Sequence, residues 1–394
     1  MMRLFINALA ANAGGGLTYI RNVVPHLAEV PDLFSIIALS PDLRQEFSGF
    51  ANNVDFLEFR AIPGRRVWLE QLELPRMIRR HGADILLSAG NFALRRPGVP
   101  QILLSRNSIY FSPDFFKDLQ ERREYRMWLD TRMRGVIARR SIRWADATVA
   151  PSEAFANELR NCGGDARIVA IPHGFDRQAF CGDTSPLASH LEAKLREAEN
   201  SLKLLLVSHY NYYRNFETVI RALPILRSRL RGHSIKLLLT CKLAPGANPG
   251  SYNPARAASL VRDLGISDMV VELGALPYRQ LHHLYRRANV YVTAAYTETF
   301  AHPLVEAMAS NLPVVASDLA VHREICGEIA VYFPRFSAEA LAERVAGLAE
   351  SPESMRSMAA EGEKRSHQFS WKTHVEKIVD LARDLIGPKA AIAQ

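Results

Sequence analysis

The sequence predicts two doubly wound α/β domains in one chain. Three observations carry that expectation: a length of 394 residues, an alternation of apolar β-type runs with helical patterns that occurs twice over, and a polar stretch that separates the two series. A chain this long exceeds what one hydrophobic core usually organises, so two units of roughly 200 residues each are the natural division. With 48% apolar and 23% charged residues the composition is that of a globular protein,. No apolar run approaches the roughly 18 residues of a membrane-spanning helix.

In the first series, residues 3–8, 34–39, 85–88, 102–105, 147–150 and 168–171 read as strands. In the second, residues 203–208, 235–240, 270–273, 290–293, 313–316 and 330–333 do the same. The expected division is a first domain over 1–182, a polar linker over 183–200 with at most one short helix, a second domain over 201–370 and a closing helix over 371–394. The last residues, from Lys389 onward, are expected to fray. The N-terminal stretch through Ala8 has a basic residue and an apolar run, but Asn7 interrupts it short of a signal peptide, so it reads as the first strand. In open parallel sheets ligands sit at the carboxyl ends of strands, and with two such domains the active site is expected in the cleft between them.

Cys162, Cys181, Cys241 and Cys326 lack C-x-x-C spacing, which argues against a zinc site or a disulfide framework and fits a reducing compartment,. The net charge of +8 is unevenly placed: residues 60–143 carry 18 Lys/Arg against 8 Asp/Glu, leaving the remainder slightly acidic. Such a patch suits a phosphate-bearing substrate, an anionic membrane or nucleic acid, and equally a solvated surface. No helix-turn-helix, finger or aromatic ribonucleoprotein motif accompanies it, so nucleic acid is not expected as a partner.

The first strand is followed by Gly14, Gly15 and Gly16 and then by a helical pattern over 17–29. A glycine run before a helix N-terminus lets a phosphate reach backbone N–H groups, although a flexible turn explains three glycines as well. The spacing is not G-x-G-x-x-G, which counts against a nicotinamide dinucleotide.

The most informative segment runs from Tyr291 to Asp318. A strand ends near Ala294, a short loop carries Glu298, and a helix starting around Pro303 carries Glu306 in its first turn or so. Carboxylates so placed can accept hydrogen bonds from sugar or ribose hydroxyls while backbone N–H groups face a phosphate. A helix-dipole role alone would also explain Glu306.

At these residues the chain resembles the retaining GT-B glycosyltransferases of the large GT4-like family. The resemblance runs from Gly14–Gly16 through Ile171-Pro172-His173-Gly174-Phe175-Asp176 to Phe369-Ser370-Trp371. Its most specific part is Glu298…Glu306, which looks like the family's E-x7-E element, followed by Pro313 to Asp318 and Arg323-Glu324. The resemblance implies two Rossmann-like domains, the first binding the acceptor and the second the nucleotide sugar, with the C-terminal helix crossing back to the first. It implies a first glutamate on donor-sugar hydroxyls and a second on the nucleotide ribose, hence Glu298 and Glu306 in those roles. It also implies a basic pair after the first strand of the second domain. There, in the stretch from Ser208 to Phe216, Arg214 fills the slot usual for lysine, and His209 stands where the family has arginine.

Two further departures from the family pattern follow. Arg106 or Asn107 stands where a histidine often lies near the reacting carbon; either can bond a sugar or phosphate, and neither is a general base at neutral pH. Thr299 and Ala301, with Phe300 and His302 beside them, replace glycines common after the first glutamate. Their N–H groups are expected to face the phosphate.

Other residues read as structural. His173 and Gly174 suit a hinge and packing, and Ser152 suits a helix N-cap. Residues 115–144 interleave arginines with Phe116, Leu119, Tyr125, Met127, Trp128, Leu129, Met133, Val136 and Ile137 at roughly helical spacing, a pattern for an anionic membrane surface or for a two-sided surface helix.

The resulting expectation is a cytoplasmic, retaining hexosyltransferase, possible mannose included, on the inner face of the membrane when peripheral. It takes a UDP-, GDP- or dTDP-linked donor and a saccharide or lipid-linked acceptor in bacterial surface polysaccharide assembly. No cofactor is expected, and with no D-x-D sequence in the chain no obligatory metal. A nucleotide-sugar epimerase of the same architecture and a non-catalytic binding subunit are the alternatives.

Overall fold

A computed structural model of the chain describes residues 1–11, 14–47, 53–59, 69–248, 250 and 252–387. Asn12 and Ala13 of the glycine turn, residues 60–68 of the basic stretch and the terminal residues expected to fray lie outside the described residues. Two compact units emerge. The first comprises Met1–Phe111, Glu124–Gly174 and Ser370–Gln394; the second comprises Ser112–Arg123 and Phe175–Phe369. Residues 183–200, expected as a linker, fall within the second unit and include the helix Ser189–Glu197.

The first unit is built on a seven-stranded parallel sheet. Its strands are β1 (Met2–Asn7), β2 (Leu33–Leu39), β3 (Val54–Glu58), β4 (Ile85–Ser88), β5 (Gln101–Leu104), β6 (Ala147–Ala150) and β7 (Ile168–Ala170), in the order β3-β2-β1-β4-β5-β6-β7. Because parallel strands are covered on both faces, their side chains alternate between two apolar layers rather than between core and water. Thus Leu4 and Ile6 enter one buried cluster and Phe5 enters another. The helix Trp371–Ile386 joins the first of these, with Trp371, Val375, Ile378 and Val379 buried beside Tyr19 and Val23 of the helix Gly14–Ala28. Gly174 permits that closure: a Cβ there would lie 2.0 Å from the Trp371 nitrogen.

The second unit repeats the plan with β8 (Leu202–Leu206), β9 (Ile235–Leu239), β10 (Val270–Glu272), β11 (Val290–Thr293), β12 (Val314–Ser317) and β13 (Val331–Phe333), ordered β10-β9-β8-β11-β12-β13 and all parallel. In each sheet the chain winds outward from the first strand to one side and then restarts on the other. The switch points therefore lie between β1 and β4 and between β8 and β11, where open sheets bind ligands. Such is the arrangement that places residues far apart in sequence at one edge.

Differences from the sequence expectation are local. Strand β3 lies at a sheet edge, with only partly buried side chains and two charged residues in five. The first helix starts at Gly14, so the glycines form its first turn rather than precede it. Among the described residues no helix is long and apolar enough to cross a membrane, and no cluster of His, Cys, Asp or Glu is arranged to hold a metal ion.

Candidate active site

The second unit gathers most of the expected site residues at one sheet edge. Strands β8 and β11 are hydrogen-bonded neighbours, Leu205 opposite Tyr291, so the loops leaving their carboxyl ends emerge side by side. One loop carries Ser208 to Arg214 and the other carries Glu298.

The first loop is shaped by its own side chains. The Ser208 amide donates to Thr240 Oγ1 at 2.9 Å, its hydroxyl donates to the His209 carbonyl at 2.7 Å, and Asn211 Nδ2 donates to that carbonyl at 3.1 Å. Asn211 also caps the short turn Tyr212–Arg214, accepting from the Arg214 amide at 3.1 Å. Asn215 takes a left-handed φ of 54°, a conformation asparagine tolerates, and its Nδ2 donates to the Ala294 carbonyl at 3.2 Å,. That bond ties the two loops together. The His209 ring remains exposed.

Arg214 and Glu298 form an ion pair, Nη1 donating to Oε1, with side chains 15% and 10% exposed. Burial pushes the Glu298 carboxyl above the usual glutamate range, while Arg214 and the Thr299 amide draw it back. For Arg214, burial acts against the charge, and Glu298 with Tyr213, Tyr291 and Tyr285 outweighs it, raising the guanidinium pKa. Arg214 Nε is buried and has no hydrogen-bond partner among the described residues. A buried unsatisfied donor costs about 1–3 kcal/mol, more when charged.

Beyond Glu298 the chain turns sharply. Ala301 adopts φ 60° and ψ 60° at the N-cap of the helix His302–Ala309, a left-handed conformation that glycine takes without strain. This explains physically why a glycine suits the position and what alanine costs there. Phe300 is buried against the Phe369 ring at 5.5 Å and the His302 ring at 4.8 Å, so it anchors the turn.

Glu306 sits on that helix, buried. Burial raises its pKa to about 7, against hydrogen bonds from Tyr285 and Tyr278 and the charge of Arg214, which pull it down. The Tyr285 hydroxyl donates to Oε2 at 2.7 Å. Tyr285, Tyr278, Asn211 and Asn215 carry no motif that would have singled them out; the polar-aromatic run from Tyr210 to Asn215 was the only visible signal. Another buried contact lies behind the Glu298 loop, where Ser317 Oγ donates to the Ala295 carbonyl and His322 Nδ1 meets the Ser317 carbonyl at 2.8 Å. Burial drives the His322 pKa down to about 4, so the ring is neutral and its Nδ1–H is the donor.

The remaining candidates lie in the first unit. Arg106 Nη1 donates to the Gly15 carbonyl at 2.7 Å and Nη2 to the Ala89 carbonyl at 2.6 Å. Its guanidinium lies 5.3 Å from the Tyr19 ring centroid, and burial lowers its pKa to about 10. Arg106 thus clamps the first helical turn to the loop after β4. A Cβ on Gly16 would meet Ala11 Cα at 3.2 Å, a tight contact that a larger residue could make only if the neighbouring backbone shifted. Asn107 is half-buried at the start of the short turn Ser108–Tyr110. Ser152 caps its helix as expected, accepting from the Phe155 amide.

Residues 189–365 match the family described as glycosyl transferases group 1, and residues 13–179 match glycosyltransferase family 4. The chain is 26% identical over 63% of its length to the D-inositol 3-phosphate glycosyltransferase of Kineococcus radiotolerans, covering 59% of that protein. It is 30% identical over 42% of its length to the MMP alpha-(1->4)-mannosyltransferase of Mycolicibacterium hassiacum, covering 39% of it. The chain therefore spans from about two fifths to about three fifths of the length of these two relatives. Its fold is similar to that of sucrose-phosphate synthase from Thermosynechococcus elongatus (TM-score 0.75, 19% identity, 98% and 99% of the two chains covered). It is also similar to that of Anabaena HepE solved with UDP-glucose (TM-score 0.70, 16% identity, 97% and 99% covered).

Proposed function

The chain belongs to the group 1 glycosyltransferases and has their two-domain GT-B fold, and from that premise we propose that it transfers a hexosyl group from a nucleotide sugar to a saccharide or lipid-linked acceptor with retention at the anomeric carbon. The observation that carries this reading is the Arg214–Glu298 pair at the switch point of the second sheet, with Arg214 Nε unpartnered. A departing diphosphate gains negative charge as the sugar–oxygen bond breaks, and a fixed guanidinium stabilises that charge more in the transition state than in the ground state. Glu298 then accepts from donor-sugar hydroxyls and Glu306 from the ribose. Ser208, His209 and the amides of Thr299 through His302 flank the phosphates. Arg214, rather than a divalent cation, neutralises the leaving group.

The first unit is assigned to the acceptor, with Gly14–Gly16 kept as a phosphate-binding turn for the donor and Arg106 and Asn107 as the residues nearest the reacting carbon. One named relative is a D-inositol 3-phosphate glycosyltransferase and another a mannosyltransferase, which supports transfer of a hexose to a hydroxyl-bearing acceptor without choosing one. A UDP-, GDP- or dTDP-linked donor fits, as does a role in surface polysaccharide assembly on the cytoplasmic side of a membrane. Peripheral attachment there is supported by the helix Tyr125–Trp144, where Tyr125, Leu129, Met133, Val136 and Ile137 are exposed beside Arg126, Arg132, Arg140 and Arg143. Apolar side chains among exposed arginines suit an anionic bilayer interface,.

The test is a thermal-shift screen against UDP, GDP, dTDP and ADP, in which a nucleotide at 100 times its Kd adds about 2.7 kcal/mol to stability. With the nucleotide so identified, Glu298→Ala should impair turnover of the sugar nucleotide more than binding of the bare nucleotide. Equal losses for both ligands would remove Glu298 from the sugar.

A further inference from the structure

Residues Ser112–Arg123 belong to the second unit, although the chain before Ser112 and after Arg123 belongs to the first. The segment's ends are well made. Ser112 caps the helix Pro113–Glu121 by accepting from the Phe115 amide, Pro113 opens its first turn, and Arg123 exits with a left-handed φ of 60°,. Phe115 and Leu119 are fully buried, Phe115 edge-on to Tyr213 at 6.3 Å.

The polar contacts of this strap converge on the two loops of the donor site. Arg122 Nε donates to Asp118 Oδ1 at 2.8 Å and Nη1 donates to Glu217 Oε1 at 2.9 Å, while the guanidinium lies 4.2 Å from the Tyr212 ring centroid. Tyr210 adds a hydrogen bond to the same Glu217 oxygen at 2.9 Å. So Arg122 grips both ends of the loop that carries Arg214. Asp118 Oδ2, in turn, accepts from the Tyr296 hydroxyl at 2.8 Å, and the Tyr296 amide donates to the Tyr213 carbonyl at 3.0 Å. Tyr296 lies two residues before Glu298.

The Arg122 and Glu217 side chains are 8% and 3% exposed. Two carboxylates share one guanidinium in this interior. Burial raises the Asp118 pKa despite Arg122 and Tyr296; for Glu217 the same burial is outweighed by Arg122, so its pKa falls below the ordinary glutamate value. Well-packed apolar residues hold an interior together at least as well as such a cluster, whereas directional bonds fix a geometry.

We propose that Arg122 is a positioning residue for transfer, which holds the Arg214 loop through Tyr212 and Glu217 and the Glu298 loop through Asp118 and Tyr296. The inference rests on the donor-site reading of Arg214 and Glu298. It assigns the strap no contact with substrate. A displacement of about 1 Å in such groups costs on the order of 100-fold in rate, so the expected signature is in kcat rather than in nucleotide affinity.

The test uses the full chain. Arg122→Met alone strands the Glu217 charge, so it is combined with Glu217→Gln, and Tyr296→Phe serves as a minimal second variant. Amide hydrogen exchange, read without ligand, should accelerate about tenfold or more across residues 208–215 and 294–298 in the double variant. Release of nucleoside diphosphate from UDP-glucose or GDP-mannose, whichever the wild type turns over, should fall about tenfold or more in kcat, with nucleotide Kd within about threefold. Tyr296→Phe should quicken exchange at 294–298 and lower kcat by about threefold, and it carries the test alone if the double variant does not fold. Exchange changes confined to residues 112–123, or kcat within about twofold of wild type in a folded variant, would overturn the inference. Arg214→Ala runs alongside: slow Arg214→Ala with normal strap variants sinks the strap alone, whereas wild-type turnover in Arg214→Ala sinks the site reading itself.

Discussion

Arg106 and Arg214 lie at the carboxyl-end loops of two similarly wound sheets, yet their guanidinium groups bind different kinds of partner. In the first unit both terminal nitrogens of Arg106 are engaged by the carbonyls of Gly15 and Ala89, and burial lowers its pKa to about 10. In the second, Arg214 pairs with the Glu298 carboxylate, which helps raise its pKa against the effect of burial. One arginine binds two backbone carbonyls; the other binds a carboxylate. Topology places a cation at each switch point, and the neighbouring acceptors decide what it can do.

The largest expected effect separates the two directly. Arg214→Ala should slow transfer by about 10²–10³, as the loss of one preorganised contact to developing charge does. Arg106→Met should instead lower stability by about 1–3 kcal/mol, since the carbonyl of buried Ala89 loses its donor and the tie to Gly15 is broken, with a much smaller change in kcat,. Denaturant melts and initial rates on both variants check the contrast. Equal rate losses would mean that Arg106 also serves the chemistry.

Glu306 sharpens the comparison through pH. An unfolded glutamate titrates near 4.5 and the folded one near 7, so the native state binds the extra proton between these values. Stability should therefore be highest below about pH 4.5 for this group and decline as pH rises through 7, by on the order of 3 kcal/mol. Glu306→Gln should flatten that decline. Ribose hydroxyls donate to the ionised form, so nucleotide affinity should move the other way and strengthen as pH rises through 7. Calorimetric titrations from pH 5.5 to 8 would show it, and affinity independent of pH would separate Glu306 from the nucleotide.

The smallest effect concerns the turn between the two glutamates. Ala301→Gly should relieve the left-handed backbone and, after the added freedom of the unfolded chain, raise stability by up to about 1 kcal/mol. A thermal midpoint lower than wild type would show that the methyl group packs usefully there.

These contrasts also show what the sequence makes legible. Apolar strand runs such as residues 85–88 and 290–293 are plain because parallel strands are buried on both faces,. Strand β3, with Asp55 and Glu58 on a partly exposed edge, lacks that signal. The segment from Tyr291 to Asp318 discloses Glu298 and Glu306 because strand, loop and helix follow one another without interruption. That Arg214, 84 residues upstream, pairs with Glu298 depends on β8 lying beside β11, and strand order is not written in local pattern. Arg106 was visible as a charge in a suggestive place, but its partners are backbone carbonyls, which leave no mark on a sequence. The strap over 112–123 is hidden for the same reason: Arg122 and Asp118 look like one surface i,i+4 pair until Glu217 and Tyr296 close around them.

The most direct test of the central claim compares a nucleoside diphosphate with its nucleoside, using whichever base stabilises the wild type, in calorimetry on wild type, Arg214→Ala and Arg106→Met. The account predicts that the diphosphate's advantage over the nucleoside shrinks in Arg214→Ala and survives in Arg106→Met. An advantage left intact by Arg214→Ala would contradict it, because the phosphates would then be held elsewhere.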